Sequence, residues 1–466
     1  MKKIFEKYDL IKATGILVLL SVVLTWLIPY GYFSGTGMQV SEISRVGLTN
    51  FFQYGLLGMY YFTVLITFLF VLGGFYQVLS RVSGYQALVK GISKKLKGHE
   101  KLFVVIVSLF LAVLCSLTKE YFPLLVFIPF IISILNRLKV DKLAAFSATF
   151  GALLVGVIGS TYADKVINYL LNSNGAFGDS PMWARIVLFV CAYALLMLFT
   201  ILRMRKNKSA NEEYDKFEVD SYKSGKKARI WPYIVGLALI ALTTILAYLP
   251  WDVWKVTVFT SITKWVNEAS IAGVPIFSYV FGTFSEFGTW DIFTIQFVML
   301  FATLLIHWFG KVSLDEVFES YGEGFKKMGY VVVVLLFVYA VLEFSVMFPV
   351  LPVMVDWVAK LTDGFNVALA FINGLLVSLF GVEMQYVMSL GGNYYAAMFA
   401  ENASISAVAF QSAFGLVSFF APSSAILMIG LAYLGIPYKE WLKYIWKFLV
   451  AMLLVIVIIL TILTLM

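Results

Sequence analysis

Residues 102–135 read LFVVIVSLFLAVLCSLTKEYFPLLVFIPFIISIL, and the placement of this stretch decides the fold. It is apolar except at its centre, Ser116-Leu117-Thr118-Lys119-Glu120. Basic residues flank both ends: Lys94, Lys95, Lys97 and Lys101 before it, Arg137, Lys139 and Lys142 after it. Two helical crossings of a bilayer core of about 30 Å, with a turn between them, need more than about 40 residues. Only 34 are present. Basic loops mark the cytoplasmic side of a membrane protein, so the chain enters, turns at membrane depth and leaves by the same side. The stretch predicts a re-entrant hairpin. Its polar centre must be buried in protein or line a wet cavity, because broken backbone is not tolerated against lipid.

Composition agrees with a membrane setting. The chain has 466 residues, 61% hydrophobic and 13% charged, against about half and about a quarter in soluble domains. Hydropathy predicts spans at 13–30, 59–80, 144–171, 183–203, 231–249, 292–310, 329–349, 404–432 and 442–465. Lys2, Lys3, Lys7 and Lys12 put the N-terminus on the cytoplasmic side of an inner (plasma) membrane. The first span ends in Trp26-Leu27-Ile28-Pro29-Tyr30 with no small-residue cleavage site, so it is expected to stay. Residues 31–58 and Asn172-Ser173-Asn174-Gly175 are expected outside, and 250–290, with Trp251, Trp254, Trp265 and Trp290, at the outer interface. The net charge of +8 sits in short loops between spans. That pattern argues topology and excludes a nucleic-acid face. Cys115 and Cys191 lie in apolar segments and read as reduced core residues.

Residues 366–400 repeat the first puzzle. They form a second short apolar pair, broken at Gly381-Val382-Glu383 and flanked by non-basic residues, so this hairpin is expected to open to the outside. The chain then divides into a first repeat at 1–203, a basic loop at 204–230, a connector and interfacial segment at 231–291, and an inverted second repeat at 292–466. Landmarks keep the offset: Glu120 and Glu383 are 263 positions apart, Gly151 and Gly415 264, Ser160 and Ser423 263. The fold class is therefore an all-α polytopic membrane protein of two inverted repeats, each with a re-entrant hairpin. Inverted repeats with interrupted helices meeting at the midplane mark secondary active transporters.

Ionisable groups inside spans cost about 2.5–3.5 kcal/mol each on insertion scales, so they point to function. Here they are Lys119, Glu120, Asp164, Lys165, Glu343 and Glu383. Charge pairs that only fix helix packing are the plainer reading, and for Glu343, on an unbroken span, that reading is as good as a functional one. Ser160-Thr161 and Ser423-Ser424 follow Gly or Pro inside spans. Unwound backbone there would offer carbonyls to H⁺ carriers or Na⁺, and helix N-termini to an anionic group. A Pro kink relieved by serine is the plainer alternative. Asn393, after Gly391-Gly392, fits the outer hairpin or a simple turn. The candidate site is Ser116, Thr118, Lys119, Glu120, Ser160, Thr161, Asp164, Glu383, Asn393, Ser423 and Ser424, with Na⁺ near Ser160, Thr161 and Ser423 as one option for the coupling ion. No organic cofactor is expected. His99 and His307 lack metal-ligand spacing, and no Gly-rich loop with a following Lys-Ser/Thr points to ATP.

At this point the residues resemble a known family. Leu72-Gly73-Gly74-Phe75 through Lys94-Lys95-Leu96-Lys97-Gly98-His99-Glu100-Lys101 is similar to the YfcC-type carriers, related to anaerobic four-carbon dicarboxylate carriers in the ion-transporter superfamily. So are Ala409-Phe410-Gln411-Ser412-Ala413-Phe414-Gly415-Leu416-Val417, Ala421-Pro422-Ser423-Ser424-Ala425 and Tyr438-Lys439-Glu440-Trp441-Leu442-Lys443. The resemblance implies scaffold and transport domains, opposed hairpins, a homodimer and elevator motion. It also implies dicarboxylates, or basic amino acids such as arginine exchanged for ornithine. The sequence departs from that family at Lys119-Glu120, where paired acids are usual. It departs at Ala163-Asp164, where Asn-Pro is usual, and at Ala421-Pro422-Ser423-Ser424, where Thr-Pro-Thr-Ser is usual.

The expectation is a symporter or exchanger for a small charged metabolite. Four acids against two lysines among the buried groups lean it towards an amino acid, basic antiport included, with a dicarboxylate or other organic anion as the alternative. A passive channel, and a membrane sensor that has lost transport, are the rivals of another class. The expected partners are the substrate, the lipid bilayer and a second copy of the chain, with no nucleic acid.

Overall fold

The computed structural model describes residues 8–34, 37–118, 121–161, 181–206, 213–217, 230–252, 254–271 and 273–466. Lys119, Glu120, Asp164, Lys165 and the loop 172–175 lie outside them. The described chain is helical apart from one short hairpin. Its elements are α1 (Asp9–Leu27), the strands β1 (Gly31–Ser34) and β2 (Gly37–Val40), α2 (Leu48–Tyr61), α3 (Thr63–Ser80), α4 (Ser83–Leu96) and α5 (Glu100–Leu117). Then come α6 (Phe122–Arg137), α7 (Lys142–Ile158), α8 (Met182–Lys206), α9 (Trp231–Tyr248), α10 (Val258–Glu268) and α11 (Ile276–Phe281). The second half holds α12 (Ile292–Gly310), α13 (Leu314–Met347), α14 (Leu351–Ala359), α15 (Val367–Ser378), α16 (384–398), α17 (Ala403–Ser418), α18 (Ala425–Leu434) and α19 (Tyr438–Leu465). Seven of the described helices are long and apolar enough to cross a bilayer.

Local chemistry sets many of the ends. Asp141 caps α7 by accepting from the N–H groups of Leu143 and Ala144, and Asn366 caps α15 through those of Ala368 and Leu369. Ser313 and Glu316 form a reciprocal capping box at the start of α13. Gly435, at φ +62°, stops α18 in the left-handed conformation open to glycine, and Pro437 precedes α19.

Two expected boundaries move. α13 begins fifteen residues before the expected 329–349 span, because hydropathy sees only its apolar part. Its first turns, with Asp315, Glu316, Glu319 and Glu323, continue as a capped helix into water. The expected outer segment 31–58 holds α2. Leu48, Phe52, Leu56 and Tyr60 form a stripe at four-residue spacing that stays exposed, an apolar face suited to lipid. Asn50, Gln53, Gly55 and Gly58 dilute its mean hydropathy enough to hide it.

Packing fixes direction. Gly156 of α7 lies against Ala112 and Cys115 of α5, and Ser116 Oγ donates to the Gly159 carbonyl at 2.7 Å. Rising numbers pair with rising numbers, so α5 and α7 run parallel. The chain between them, α6, therefore returns to the level where α5 began, which is the geometry of a hairpin that does not cross. In the second half Gly374 of α15 lies against Phe410 and Ala413 of α17. Tyr395 Oη donates to the Asn366 carbonyl at 3.1 Å, closing the base of the hairpin α15–α16.

The two halves oppose one another. Gln411 Nε2 donates to the Ser160 carbonyl at 3.0 Å, Gly415 packs on Ile158, Gly430 packs on Phe146 and Phe150, and Lys142 Nζ donates to the Gly435 carbonyl at 3.2 Å. Numbers that rise in one chain segment fall in the other, so α17–α18 is antiparallel to α7. The hairpin parallel to α17 thus opens to the face opposite the one parallel to α7. Arg203 pairs with Asp141 at the end of α8, and the Asp9 carboxylate accepts from the Tyr438 N–H at 2.6 Å. The starts of α1, α7 and α19 and the end of α8 therefore share one face, here termed the basic face.

α1, α2, α3, α12 and α13 form one packed body; the hairpins, α7, α8, α17 and α19 form the other. The first body is knit by small residues, as expected where lipid offers no hydrophobic drive. A Cβ on Gly324 of α13 would stand 2.3 Å from the Gly73 carbonyl of α3. Gly324→Ala should cost about 1–3 kcal/mol through overpacking, read as a lower thermal midpoint of the purified protein. An unchanged midpoint would show that the two helices separate freely.

Candidate functional site

Each of α5, α7, α15 and α17 stops inside the protein, and a polar break follows. At the end of α5, Ser116 is 3% exposed. Its hydroxyl reaches the Gly159 carbonyl and lies 2.9 Å from Thr161 Oγ1, while the Thr161 N–H donates to the Ser116 carbonyl at 3.1 Å. The first hairpin tip and the break after α7 are thus one hydrogen-bonded unit. Ser116, Ser160 and Thr161 are thus neighbours.

Arg185, near the start of α8, completes this unit. It is buried, and its Nη1 donates to the Thr161 carbonyl at 2.9 Å. A basic residue two positions into a span resembles an ordinary flanking charge, so no sequence pattern singles it out. Gln411 was missed likewise: a polar side chain inside the apolar α17, it supplies the N–H that holds the Ser160 carbonyl from the opposite half.

Glu383 stands at the tip of the second hairpin, just before α16, and its side chain does not cap that helix. Its carboxylate accepts from Tyr339 Oη of α13 at 2.6 Å and from Gln385 Nε2 at 3.2 Å. Tyr339 is stacked on Phe62, at the joint between α2 and α3, with ring centroids 3.8 Å apart. Tyr121, on the far side of the first tip, is close enough to both Glu383 and Tyr339 to interact electrostatically. Glu383, at the second tip, thus sits against the first body, with Tyr121 of the first hairpin in the same part of the protein. Tyr121 and Tyr339 gave no sequence signal, since tyrosines are frequent in spans and carry no formal charge.

Five buried hydroxyls have no hydrogen-bond partner among the described residues, those of Tyr233, Tyr433, Thr118, Ser160 and Ser423, and the last three lie at the breaks. Thr118, Ser160 and Ser423 are at most 2% exposed, and their side-chain oxygens make no hydrogen bond among the described residues. Buried hydroxyls are nearly always satisfied, so these three have donor and acceptor capacity to spare. Ser424 is the residue before α18, whose first N–H groups its side chain does not cap. α18 thus presents an open positive end. From Ile158 to Phe150 is about 12 Å of helix rise. The antiparallel chain crosses that distance between Gly415 and Gly430, so the break at 419–424 falls within it. Asn393 lies two turns beyond the second tip, its Oδ1 buried and without a partner. Glu343, one turn from Tyr339 on α13, packs against Gly58 of α2.

Part of the acceptor capacity of the first break is already used. The carbonyls of Ser116, Gly159, Ser160 and Thr161 already accept from the Thr161 N–H, Ser116, Gln411 and Arg185. A guanidinium 2.9 Å from the Thr161 oxygen also opposes a cation there. The described residues hold no cluster of three or more His, Cys, Asp or Glu suited to a metal. Cys115 and Cys191 are free thiols.

Residues 10–466 match the family model described as C4-dicarboxylate anaerobic carrier. No curated protein matches the chain. Among solved structures, the YdaH transporter of Alcanivorax borkumensis is similar at a TM-score of 0.40 and 14% identity, over 98% of this chain and 97% of that one.

Proposed function

Since the chain belongs to the family of C4-dicarboxylate anaerobic carriers, we propose that it is a proton-coupled secondary carrier of a small carboxylate, a four-carbon dicarboxylate first among them. The observation that carries this reading is the first hairpin tip bonded to the break after α7, that break held by Gln411 from the opposite half, and buried, partnerless hydroxyls at both breaks. The N-terminus of α18 and the Arg185 guanidinium favour a bound carboxylate. Thr118, Ser160 and Ser423 supply hydrogen bonds to it. Glu383 is the proton carrier, oriented by Tyr339 from the neighbouring body. A free amino acid is the second reading, because Glu383 would pair equally well with an ammonium group.

In this reading the basic face is cytoplasmic, residues 1–203 and 292–466 are the two repeats, a homodimer is the working unit, and the hairpin-bearing body moves against the first. Thermal stabilisation of the purified protein tests the substrate class. At about 100 times its dissociation constant a ligand should add about 2.7 kcal/mol. Succinate is expected to stabilise, and arginine and ornithine are not. The reverse order would move the assignment to a basic amino acid, and no response to either class would remove the site. Counterflow of labelled succinate in proteoliposomes separates carrier from channel, since only a carrier shows stimulation from the far side.

A further inference from the structure

The basic loop between α8 and α9 contains Tyr214, Asp215, Lys216 and Phe217, and these residues are driven into the protein. Tyr214 and Phe217 are 6% and 1% exposed. Tyr214 binds the hairpin-bearing body: its N–H donates to Asn136 Oδ1 at 3.2 Å, and its hydroxyl donates to the Val140 carbonyl at 2.8 Å. Lys216 binds α13 and α18, which pack on one another. Its Nζ donates to the Ala432 carbonyl in the last turn of α18 at 3.2 Å and to the Lys327 carbonyl of α13 at 3.4 Å, and it lies over the Tyr433 ring. An ammonium at a helix C-terminus is well placed against the dipole. Burial, and next the nearby Lys327, lower Lys216 to about 8. Phe217 sits between Tyr76 of α3 and Tyr433 of α18, with ring centroids 6.1 and 6.2 Å away. Lys327 lies over its face. The Asp215 carboxylate accepts from the Phe217 N–H at 3.0 Å, which holds the turn.

A loop of charged and polar residues needs no such burial to connect two helices. Surface loops normally stay in water because their backbone groups are satisfied there. Here one short segment is tied by Tyr214 to the end of α6 in the hairpin-bearing body, and by Phe217 and Lys216 to α3 and α13 of the first body. We propose that Tyr214–Phe217 is an internal latch that holds the two bodies together on the basic face and closes access from that face to the hairpin tips. The latch has to release one body for that side to open. This inference does not depend on the substrate.

The test needs no transport measurement. The full chain carrying Cys191→Ser is placed in lipid nanodiscs, where both faces are accessible, and a cysteine is introduced by Thr118→Cys at the first hairpin tip or by Ser133→Cys beneath the latch. Labelling by a water-soluble maleimide is followed with and without Phe217→Ala, and the chain without an introduced cysteine gives the background from buried Cys115. The expected result is a rise of tenfold or more in the labelling rate at both positions. A rise at Ser133→Cys alone would show that the loop is a local cover and not a latch, and would overturn the proposal; so would no rise at either. If Phe217→Ala fails to yield monodisperse protein, Tyr214→Phe with Lys216→Ala removes the two polar anchors and is read in the same way. A negative result leaves the carrier reading intact, and loss of the carrier reading leaves this measurement valid.

Discussion

Glu383→Gln protein in liposomes is expected to exchange labelled substrate across the bilayer but to fail to accumulate it against a gradient. The amide oxygen can still accept from Tyr339 Oη, which stands 2.6 Å from the native carboxylate, so the tip should keep its shape. What is lost is the group that changes protonation. One proton per cycle across a gradient of one pH unit supplies about 1.4 kcal/mol, which is about a tenfold accumulation. The variant should fall from that ratio to unity while its counterflow continues. Accumulation at the wild-type ratio with the same pH dependence would remove Glu383 from coupling. Loss of both accumulation and counterflow, with thermal stability unchanged, would make it a substrate ligand instead, as the amino-acid reading requires.

Glu383 was legible in the sequence for the reason that makes it interesting. A carboxylate in an apolar run too short to cross twice has nowhere to sit but a break, and Gly381 marks that break. Thr118, Ser160 and Ser423 were legible in the same way, as polar residues at interruptions of long apolar periodicity. The opposition of the two hairpins followed from basic residues at the ends of one and their lack at the ends of the other. Hydropathy, however, measures an average preference for lipid and says nothing of partners. Tyr339 therefore looked like one aromatic among many until α13 brought it to Glu383. Gln411 acts through a carbonyl 251 positions away, which no local pattern reveals. The loop at 204–230 reads as charge in the sequence, because Tyr214 and Phe217, buried among its described residues, are too few to register against the lysines around them. The count of buried charges that leaned towards a basic substrate also omitted Arg185, and adding a buried guanidinium at the break weakens that lean.

Replacing Arg185 should separate substrate classes more sharply than any other change at the site. Its guanidinium holds the Thr161 carbonyl at 2.9 Å and so fixes the unwound turn whose hydroxyls face the site. It is also the one buried cation among the described residues at the first break. Hydrogen bonds to charged groups contribute about 1.5–3 kcal/mol, so Arg185→Gln is expected to weaken succinate binding by about 10- to 150-fold. Arg185→Lys keeps the charge but not the planar fork that holds a carbonyl while facing an anion, so it should fall between the two. A general loosening of the fold would weaken every ligand alike. The decisive comparison is therefore with a ligand that carries no carboxylate, such as an alkyl diamine: Arg185→Gln should leave its binding unchanged or strengthen it. Equal losses for succinate and the diamine would mean that Arg185 only braces the backbone, and the carboxylate would then have to be held by the N-terminus of α18 and the hydroxyls alone.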